Sequence, residues 1–198
     1  MNKVLIIILT CVLAACSSTN KKDVAIEQAS IDSVEIAVEA HQAEKDFDCI
    51  RGEPEPSLDS VVFPNSHFQL IDKTTAIEMV VLDNGDRIAV RHEGCEYFVQ
   101  TYRFESSRFQ ADITDILFWH KITVKLLSEL EQANISPIDI KAGLSALANY
   151  MDVNTEINLE EEIEFGESEI RQFVSLDKIE QLDKDRFAIE VIFAIGPL

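Results

Sequence analysis

Short segments rich in apolar residues predict several β-strands in the middle of the chain. Residues 67–71, 75–82 and 87–92 have the length of strands and are separated by turn residues. Asn84-Gly85 separates the second and third segments and favours a type I′ hairpin, because both central residues of that turn adopt positive φ. We therefore predict three strands here, the last two joined by a tight hairpin.

Two further segments are expected to form the centre of the sheet. Residues 95–104 carry aromatic side chains on both faces, and residues 187–195 are apolar apart from Glu190. Such strands are typically buried on both faces. We therefore expect residues 95–104 to be central and covered on both sides, and residues 187–195 to be central or covered on both faces. Residues 157–165 alternate apolar residues with Asn and Glu, as in a strand with one solvated face, whereas residues 170–176 fit either a strand or a short helix.

Two helices are predicted after the fourth strand. Apolar residues recur at helical spacing over 116–130, and Asp112 or Thr114 can cap the start of this helix. The second helix is predicted to begin at Ser136, with Pro137 at its first helical position. Only a few residues separate the two helices, so they should form an antiparallel helical hairpin.

This order of elements predicts an α+β fold, in which an antiparallel sheet of about five to seven strands is packed by a helical hairpin. The domain is predicted to occupy residues 47–198. Residues 16–46 are predicted to form a polar tether followed by an amphipathic helix, because apolar residues recur near helical spacing in an Ala- and Glu-rich stretch.

The beginning of the chain has the pattern of an export signal. Lys3 precedes an apolar run from Val4 to Leu13, and the sequence Leu13-Ala14-Ala15-Cys16 ends it. These four residues resemble the lipobox of bacterial lipoproteins. The resemblance implies that residues 1–15 are removed as a signal peptide and that Cys16 becomes the lipid-bearing first residue. The apolar run is about ten residues long, which is too short to cross a bilayer. Secretion with a chance cysteine and an uncleaved anchor are the alternatives.

Lipidation at Cys16 would decide where the protein resides. By the pattern of the lipoprotein class, Cys16 carries a thioether-linked diacylglycerol and an acylated amine. Two or more acyl chains give stable anchoring, since each buried methylene contributes about 0.8 kcal/mol. Ser17 follows Cys16, where Asp would retain the protein in the inner membrane by the proteobacterial sorting rule. The resemblance therefore implies a cell-envelope protein, in the outer membrane if the organism has one.

The strongly acidic composition restricts the partners. The chain has 17 Lys and Arg against 36 Asp and Glu, a formal charge of −19 that becomes −20 once Lys3 leaves with the signal peptide. Nucleic acids and anionic lipid head groups would repel such a surface, so we expect no nucleic-acid partner. A basic protein partner or cations are compatible with this charge, and so is a surface that serves solubility alone.

Two cysteines belong to the predicted domain. Cys11 leaves with the signal peptide and Cys16 is the predicted lipid site, which leaves Cys49 and Cys95. In an oxidising compartment such a pair is expected to form a disulfide, worth about 4 kcal/mol in the chain-entropy model for a loop of about 46 residues. A metal-bound thiolate pair and two free thiols are the alternatives, although neither cysteine belongs to a Cys-x-x-Cys motif.

The other candidate sites favour structural interpretations. Residues 92–96 (His-Glu-Gly-Cys-Glu) include several metal-ligand types, but neighbouring strand residues point to opposite faces. The Glu-rich residues 160–167 lack the ligand spacing of a calcium loop and fit a solvated strand face. His120 lies in the apolar stripe of the first helix and is expected to be buried with a hydrogen bond. We therefore predict no metal, no cofactor and no catalytic residue.

These features predict an envelope lipoprotein that binds or assembles with another envelope component, without naming its specific role. The lipid anchor, the acidic surface and the lack of a nucleophile or phosphate-binding motif favour this function over an enzyme. A narrower hypothesis is an inhibitor of a basic cell-wall hydrolase such as lysozyme, since opposite charges would steer the encounter. An envelope hydrolase is the alternative, because active-site residues can be remote in sequence.

Lipidation can be tested by replacing the predicted lipid site. Cys16→Ser should abolish incorporation of a labelled fatty acid, because the serine hydroxyl cannot form the thioether to diacylglycerol. Cys11→Ser is the matched control and should keep the label, since Cys11 lies in the segment that is removed. Mass spectrometry of the recovered protein gives the position of the lipid, and label retained by Cys16→Ser would contradict the prediction.

Overall fold

The structure is a computed structural model that describes residues 49, 51–167 and 169–196. The predicted signal peptide, the predicted lipid site Cys16 and the predicted tether with its helix lie outside the described residues.

Strands and helices follow one another in two groups. In chain order the elements are β1 (His67–Leu70), β2 (Ala76–Val81), β3 (Arg87–Glu93), β4 (Phe98–Ser106), α1 (Ile116–Glu131), α2 (Ile140–Val153), β5 (Ile163–Glu164), β6 (Gln172–Gln181) and β7 (Phe187–Ile195). The strands form one seven-stranded sheet in the order β1-β2-β3-β4-β7-β6-β5, and all neighbours are antiparallel. The predicted α+β fold is confirmed, and β4 and β7 are neighbours at its centre.

One face of the sheet carries the hydrophobic core. The helices contact the half of this face formed by β5, β6 and β7, where the ring of Trp119 in α1 lies 4.8 Å from that of Phe187 in β7. The segment before β1 covers the other half, and its buried Leu58 pairs with Asn134, which follows α1. The core therefore joins segments that are far apart in the sequence.

No helix covers the opposite face of the sheet among the described residues, which corrects the expectation that β4 is covered on both sides. The expectation that β7 is central is met, because β7 lies between β4 and β6. Tyr97, one of the aromatic residues behind that expectation, precedes β4 and is exposed. On the uncovered face Arg103 of β4 forms ion pairs with Glu180 of β6, at 3.2 Å, and with Glu190 of β7. Ion pairs between strands here take the place of a second apolar layer.

Both helices are capped by residues other than those predicted. Asp115 caps α1 by accepting a hydrogen bond from the N–H of Phe118, and Asp139 caps α2 in the same way from Ala142. The prediction that Ser136 caps the second helix is wrong, because its hydroxyl is used elsewhere and the helix starts at Ile140. An aspartate three residues before the bonded N–H provides the stronger start in both helices.

The last part of the chain also departs from the prediction. The alternating residues 157–165 form only the two-residue strand β5, which pairs with β6 at Ile163–Glu164. Of the ambiguous residues 170–176, residues 172–176 belong to β6, which continues to Gln181 through an irregularity between Leu176 and Lys178. This segment forms a strand and not a short helix, because β6 pairs with β7 along its length.

A glycine in α2 permits the helix to approach the sheet closely. A side-chain carbon placed on Gly143 would collide with the ring of Phe193 in β7, which is fully buried. Glycine normally weakens the interior of a helix by about 1 kcal/mol relative to alanine. Here the close approach to Phe193 accounts for the glycine.

Gly143→Ala should therefore destabilise the domain, despite the better helix propensity of alanine. We expect a loss of about 1–3 kcal/mol in the free energy of unfolding, the usual effect of overfilling a packed core. Ser145→Ala, on the exposed side of the same helix, is the control and should be neutral or slightly stabilising. Denaturation followed by Trp119 fluorescence measures both, and equal stability of the two variants would contradict the close packing.

Candidate functional site

Four polar side chains lie together on the core face of the sheet. Each is at most 1% exposed: Glu78 on β2, His92 on β3, and Gln100 and Tyr102 on β4. Strand alternation places them there, because His92 and Gln100 face each other across β3 and β4, and all four residues point to the core side. We call these four residues the polar cluster.

The Glu78 carboxylate binds the segment that precedes β1. Its Oε2 accepts hydrogen bonds from the backbone N–H of Ser57 at 2.7 Å and of Leu58 at 3.1 Å, and from the Ser57 hydroxyl at 3.1 Å. Burial alone would raise the pKa of Glu78, but hydrogen bonding by nearby His92, Ser57 and Leu58 outweighs burial and lowers the pKa below its usual value. Glu78 is therefore ionised at neutral pH and tethers this segment to β2.

Gln100 sets the orientation and the tautomer of His92. The Gln100 Oε1 accepts hydrogen bonds from the hydroxyls of Tyr102, at 2.8 Å, and Ser136, at 2.7 Å. The Gln100 amide N–H therefore faces His92 and donates to its Nδ1 at 3.1 Å. In the neutral imidazole the proton then lies on Nε2, which is 3.7 Å from Glu78 Oε2.

The polar cluster is suited to holding structure together. Burial, followed by the charge of Glu78, raises the pKa of Tyr102 above its usual value, so the phenol stays protonated and donates. A catalytic base needs to reach the proton it removes, and both nitrogens of His92 lie inside the protein. The arrangement instead connects β2, β3 and β4 with Ser57 and Ser136.

A cleft of about 500 Å³ lies next to the polar cluster. Residues 51–57 form one side of it, and we call these residues together with Leu58 the strap. The opposite side is formed by Phe98, Gln100, Ile135, Ser136 and Pro137. Gln100 thus belongs both to the polar cluster and to the lining of the cleft.

Residues 92–96 do not converge on one point. His92 points into the core, whereas Glu93 points to the other face and forms an ion pair with Arg91 at 2.8 Å. Gly94 follows with a φ of 104° and turns the chain before β4. Within the described part of the chain, no three His, Cys, Asp or Glu side chains are placed to hold a metal ion.

The two cysteines of the predicted disulfide lie on adjacent segments. The N–H of Arg51 donates to the carbonyl of Cys95 at 3.3 Å, and the N–H of Gly52 donates to the carbonyl of Cys49 at 2.9 Å. A cysteine at the start of the strap and one in the turn before β4 are therefore neighbours. The disulfide between Cys49 and Cys95 stays a prediction.

The other two candidates occupy structural positions. In the Glu-rich segment, Arg171 binds Glu162 at 2.7 Å and Glu164 at 2.9 Å, so part of this acidic surface is paired. His120 is buried in α1, and its Nδ1 donates to the carbonyl of Ile116 at 3.1 Å, as expected for a core histidine. Burial lowers the pKa of His120, which keeps the imidazole neutral.

A groove of about 610 Å³ runs along the uncovered face of the sheet, across β1, β2 and β3. We call it the sheet groove. Met79 and Val81 form its floor and are 46% and 58% exposed. Arg87, Arg103 and Glu105 border it on the side of β4. The apolar segments of the sequence predicted strands here, but they did not predict which face of the sheet would stay uncovered.

The geometry defines an α+β domain with helices on one face of an antiparallel sheet and a groove on the other. No protein-family model, curated protein or solved structure matches this chain. Neither helix in the described part of the chain has the length and hydrophobicity needed to cross a bilayer.

The bonds made by Glu78 predict a pH-dependent loss of stability. Glu78→Gln should destabilise the domain by about 1.5–3 kcal/mol at pH 7, because a neutral amide is a weaker acceptor for the strap N–H groups. Because the folded-state pKa of Glu78 is lowered, its contribution is complete above the unfolded-state pKa and is lost as pH falls through the folded-state value. The difference between wild type and variant should therefore shrink in acid.

Urea denaturation between pH 7 and pH 3 measures this difference. Glu161→Gln, which changes an exposed carboxylate, is the control and should have little effect at any pH. A difference between wild type and Glu78→Gln that stays constant with pH would show that the charge of Glu78 does not hold the strap.

Proposed function

We propose that this chain is a lipid-anchored protein of the bacterial cell envelope whose domain binds a basic envelope protein through the sheet groove. The lipobox resemblance at Leu13-Ala14-Ala15-Cys16 supports the anchor and the location. The observation that carries the binding role is the exposed apolar floor of the sheet groove, on a sheet whose other face is covered.

The floor of the sheet groove has the character of an interaction surface. Val62 is exposed in the loop before β1 and, with Val81, lines a hollow next to the groove, which extends the apolar floor formed by Met79 and Val81. Contiguous exposed apolar surface marks contact sites more often than scattered apolar residues do. Arg87 and Glu105 at the border resemble the polar rim that surrounds the buried centre of an interface.

The charge of the chain supports a basic partner. A formal charge of −19 attracts cationic proteins over distances set by the ionic strength and accelerates their encounter. Asp83 borders the adjoining hollow, whereas Glu105 at the border of the groove is paired with Arg87 at 3.8 Å and with Arg103 at 3.4 Å. The attraction for a basic partner therefore comes from the net charge of the chain. Cell-wall hydrolases such as lysozyme are one class of basic envelope protein that this surface suits.

The polar cluster supports binding rather than catalysis. Glu78 and His92 are the groups most similar to an acid–base pair, yet both are buried and directed at the strap and at Gln100. The sheet groove lies on the opposite face of the sheet from them. A ligand in the groove therefore meets apolar side chains and ion pairs.

Photo-crosslinking in intact cells tests the proposed surface. A benzophenone amino acid at Met79 of the full-length chain should crosslink to one basic envelope protein. Placed at Leu117, which is 41% exposed on α1 in the other layer, the same probe should not capture that protein. Mass spectrometry of the crosslinked product identifies the partner.

Charge substitutions in the sheet groove provide a second test of the proposed binding surface. Met79→Glu together with Val81→Glu should abolish co-purification of the partner, whereas Leu117→Glu should preserve it. Co-purification should also weaken with rising salt if opposite charges steer the encounter. Equal capture at Met79 and Leu117, or a partner retained by the double variant, would refute binding through the sheet groove.

A further inference from the structure

The strap is held at its two ends and forms the wall of the cleft between them. Residues 52–56 have the sequence Gly-Glu-Pro-Glu-Pro, and all of them line the cleft. Pro54 and Pro56 have no backbone N–H and cannot donate to the sheet. The position of the strap therefore depends on how its ends are attached.

The second end of the strap is attached by the polar cluster. Ser57 and Leu58 direct their backbone N–H groups at the Glu78 carboxylate, which is buried. The N–H of Asp59, the next residue, donates to the carbonyl of Ala133 at 2.8 Å. Hydrogen bonds to an ionised buried group are strong, so this end is firmly fixed.

The first end of the strap is attached at the turn between β3 and β4. The Arg51 guanidinium lies 3.7 Å from the centre of the Phe98 ring and also donates to the carbonyls of Glu93 and Gly94. The N–H of Arg51 donates to the carbonyl of Cys95 at 3.3 Å. These contacts are partly exposed and individually weaker than the bonds to Glu78, since cation–π contacts near the surface contribute about 0.5–1 kcal/mol.

We propose that a disulfide between Cys49 and Cys95 latches the first end of the strap, and that its reduction opens the cleft. Cys49 lies two residues before Arg51, and Cys95 lies in the turn that Arg51 contacts, so the bond would join the two segments that the Arg51 contacts hold. With the latch closed, residues 52–56 are fixed at both ends. With the latch open, the first end of the strap is held by the Arg51 contacts alone, which are individually weak. This end then opens more often and exposes the side chains of Phe98 and Ser136.

The latch closes by thiol–disulfide exchange. The thiolate of one cysteine attacks a disulfide of an envelope oxidoreductase and forms a mixed disulfide. The thiolate of the other cysteine then attacks the sulfur of the first cysteine in this mixed disulfide and expels the oxidoreductase thiolate. The two cysteine thiols lose two protons and two electrons in total, and the disulfide of the oxidoreductase is reduced to a dithiol. A reducing dithiol opens the latch by the reverse exchange. The position of the strap thereby reports the thiol state of the envelope.

Trypsin cleavage after Arg51 measures the position of the strap. In the latched protein the Arg51 side chain is held on Phe98, whereas an open strap offers the Arg51–Gly52 bond to the protease. The full-length lipidated chain is purified in detergent, as oxidised wild type and as the Cys49→Ser, Cys95→Ser double variant. Cleavage after Lys73, in the exposed turn between β1 and β2, is the internal reference.

The ratio of cleavage at Arg51 to cleavage at Lys73 should be at least about tenfold higher in the double variant, because local opening controls proteolysis at a protected site. Using the ratio removes any general loss of stability, which would accelerate both sites together. Non-reducing peptide mapping of protein from the envelope should show the linked Cys49 and Cys95 peptides. An unchanged ratio, or the absence of the linked peptides, would overturn the latch.

Discussion

The structure depends on how one buried carboxylate is compensated. Glu78 lies at a core-facing position of β2, where an uncompensated charge would cost several kcal/mol. Two backbone N–H groups and a hydroxyl of the strap bind one of its oxygens, and His92 lies beside the same oxygen. Because the N–H groups come from the segment before the sheet, the charge can stay buried only while that segment lies against β2. Glu78 thus serves as the attachment point in the core for the first described part of the chain.

The two faces of the sheet accommodate polar groups in different ways. On the core face, polar groups are few, and hydrogen bonds join His92 through Gln100 to Tyr102. The His92 Nε2 lies 3.7 Å from Glu78 and has no hydrogen-bond partner among the described residues. On the uncovered face, charge is carried by partly exposed ion pairs around Arg103, which contribute little to stability when solvated. The first face therefore gives the fold its specificity. The second is less restricted by folding, which leaves it available for contact with other molecules.

Local signals in the sequence predicted much of the fold. Asn84-Gly85 indicated the hairpin between β2 and β3, and the apolar residues of β7 indicated a central strand, because each signal is contained in a few neighbouring residues. The predicted type I′ turn is wrong, because Gly85 has a φ of 84° but Asn84 does not have a positive φ. Glu78 was missed as a site residue, although it occupies a core-facing position of a strand that alternates. Its partners Ser57 and Leu58 lie about twenty residues earlier, and nothing in the spacing connects them. The late start of α2 had a similar origin, since the Ser136 hydroxyl binds Gln100 from a distant strand instead of capping the helix.

The two edges of the sheet differ in a way that bears on self-association. At one edge β5 has only two residues, and Arg171 binds Glu162 and Glu164 beside it, so the edge is short and charged. Natural proteins use both devices to prevent another strand from adding to a sheet. At the other edge β1 consists of His67–Leu70, four residues without a carboxylate or a lysine. If two molecules paired edge to edge, each would use β1, and the outer edges of the pair would both be β5. Such pairing ends at a symmetric dimer and cannot propagate into a fibre.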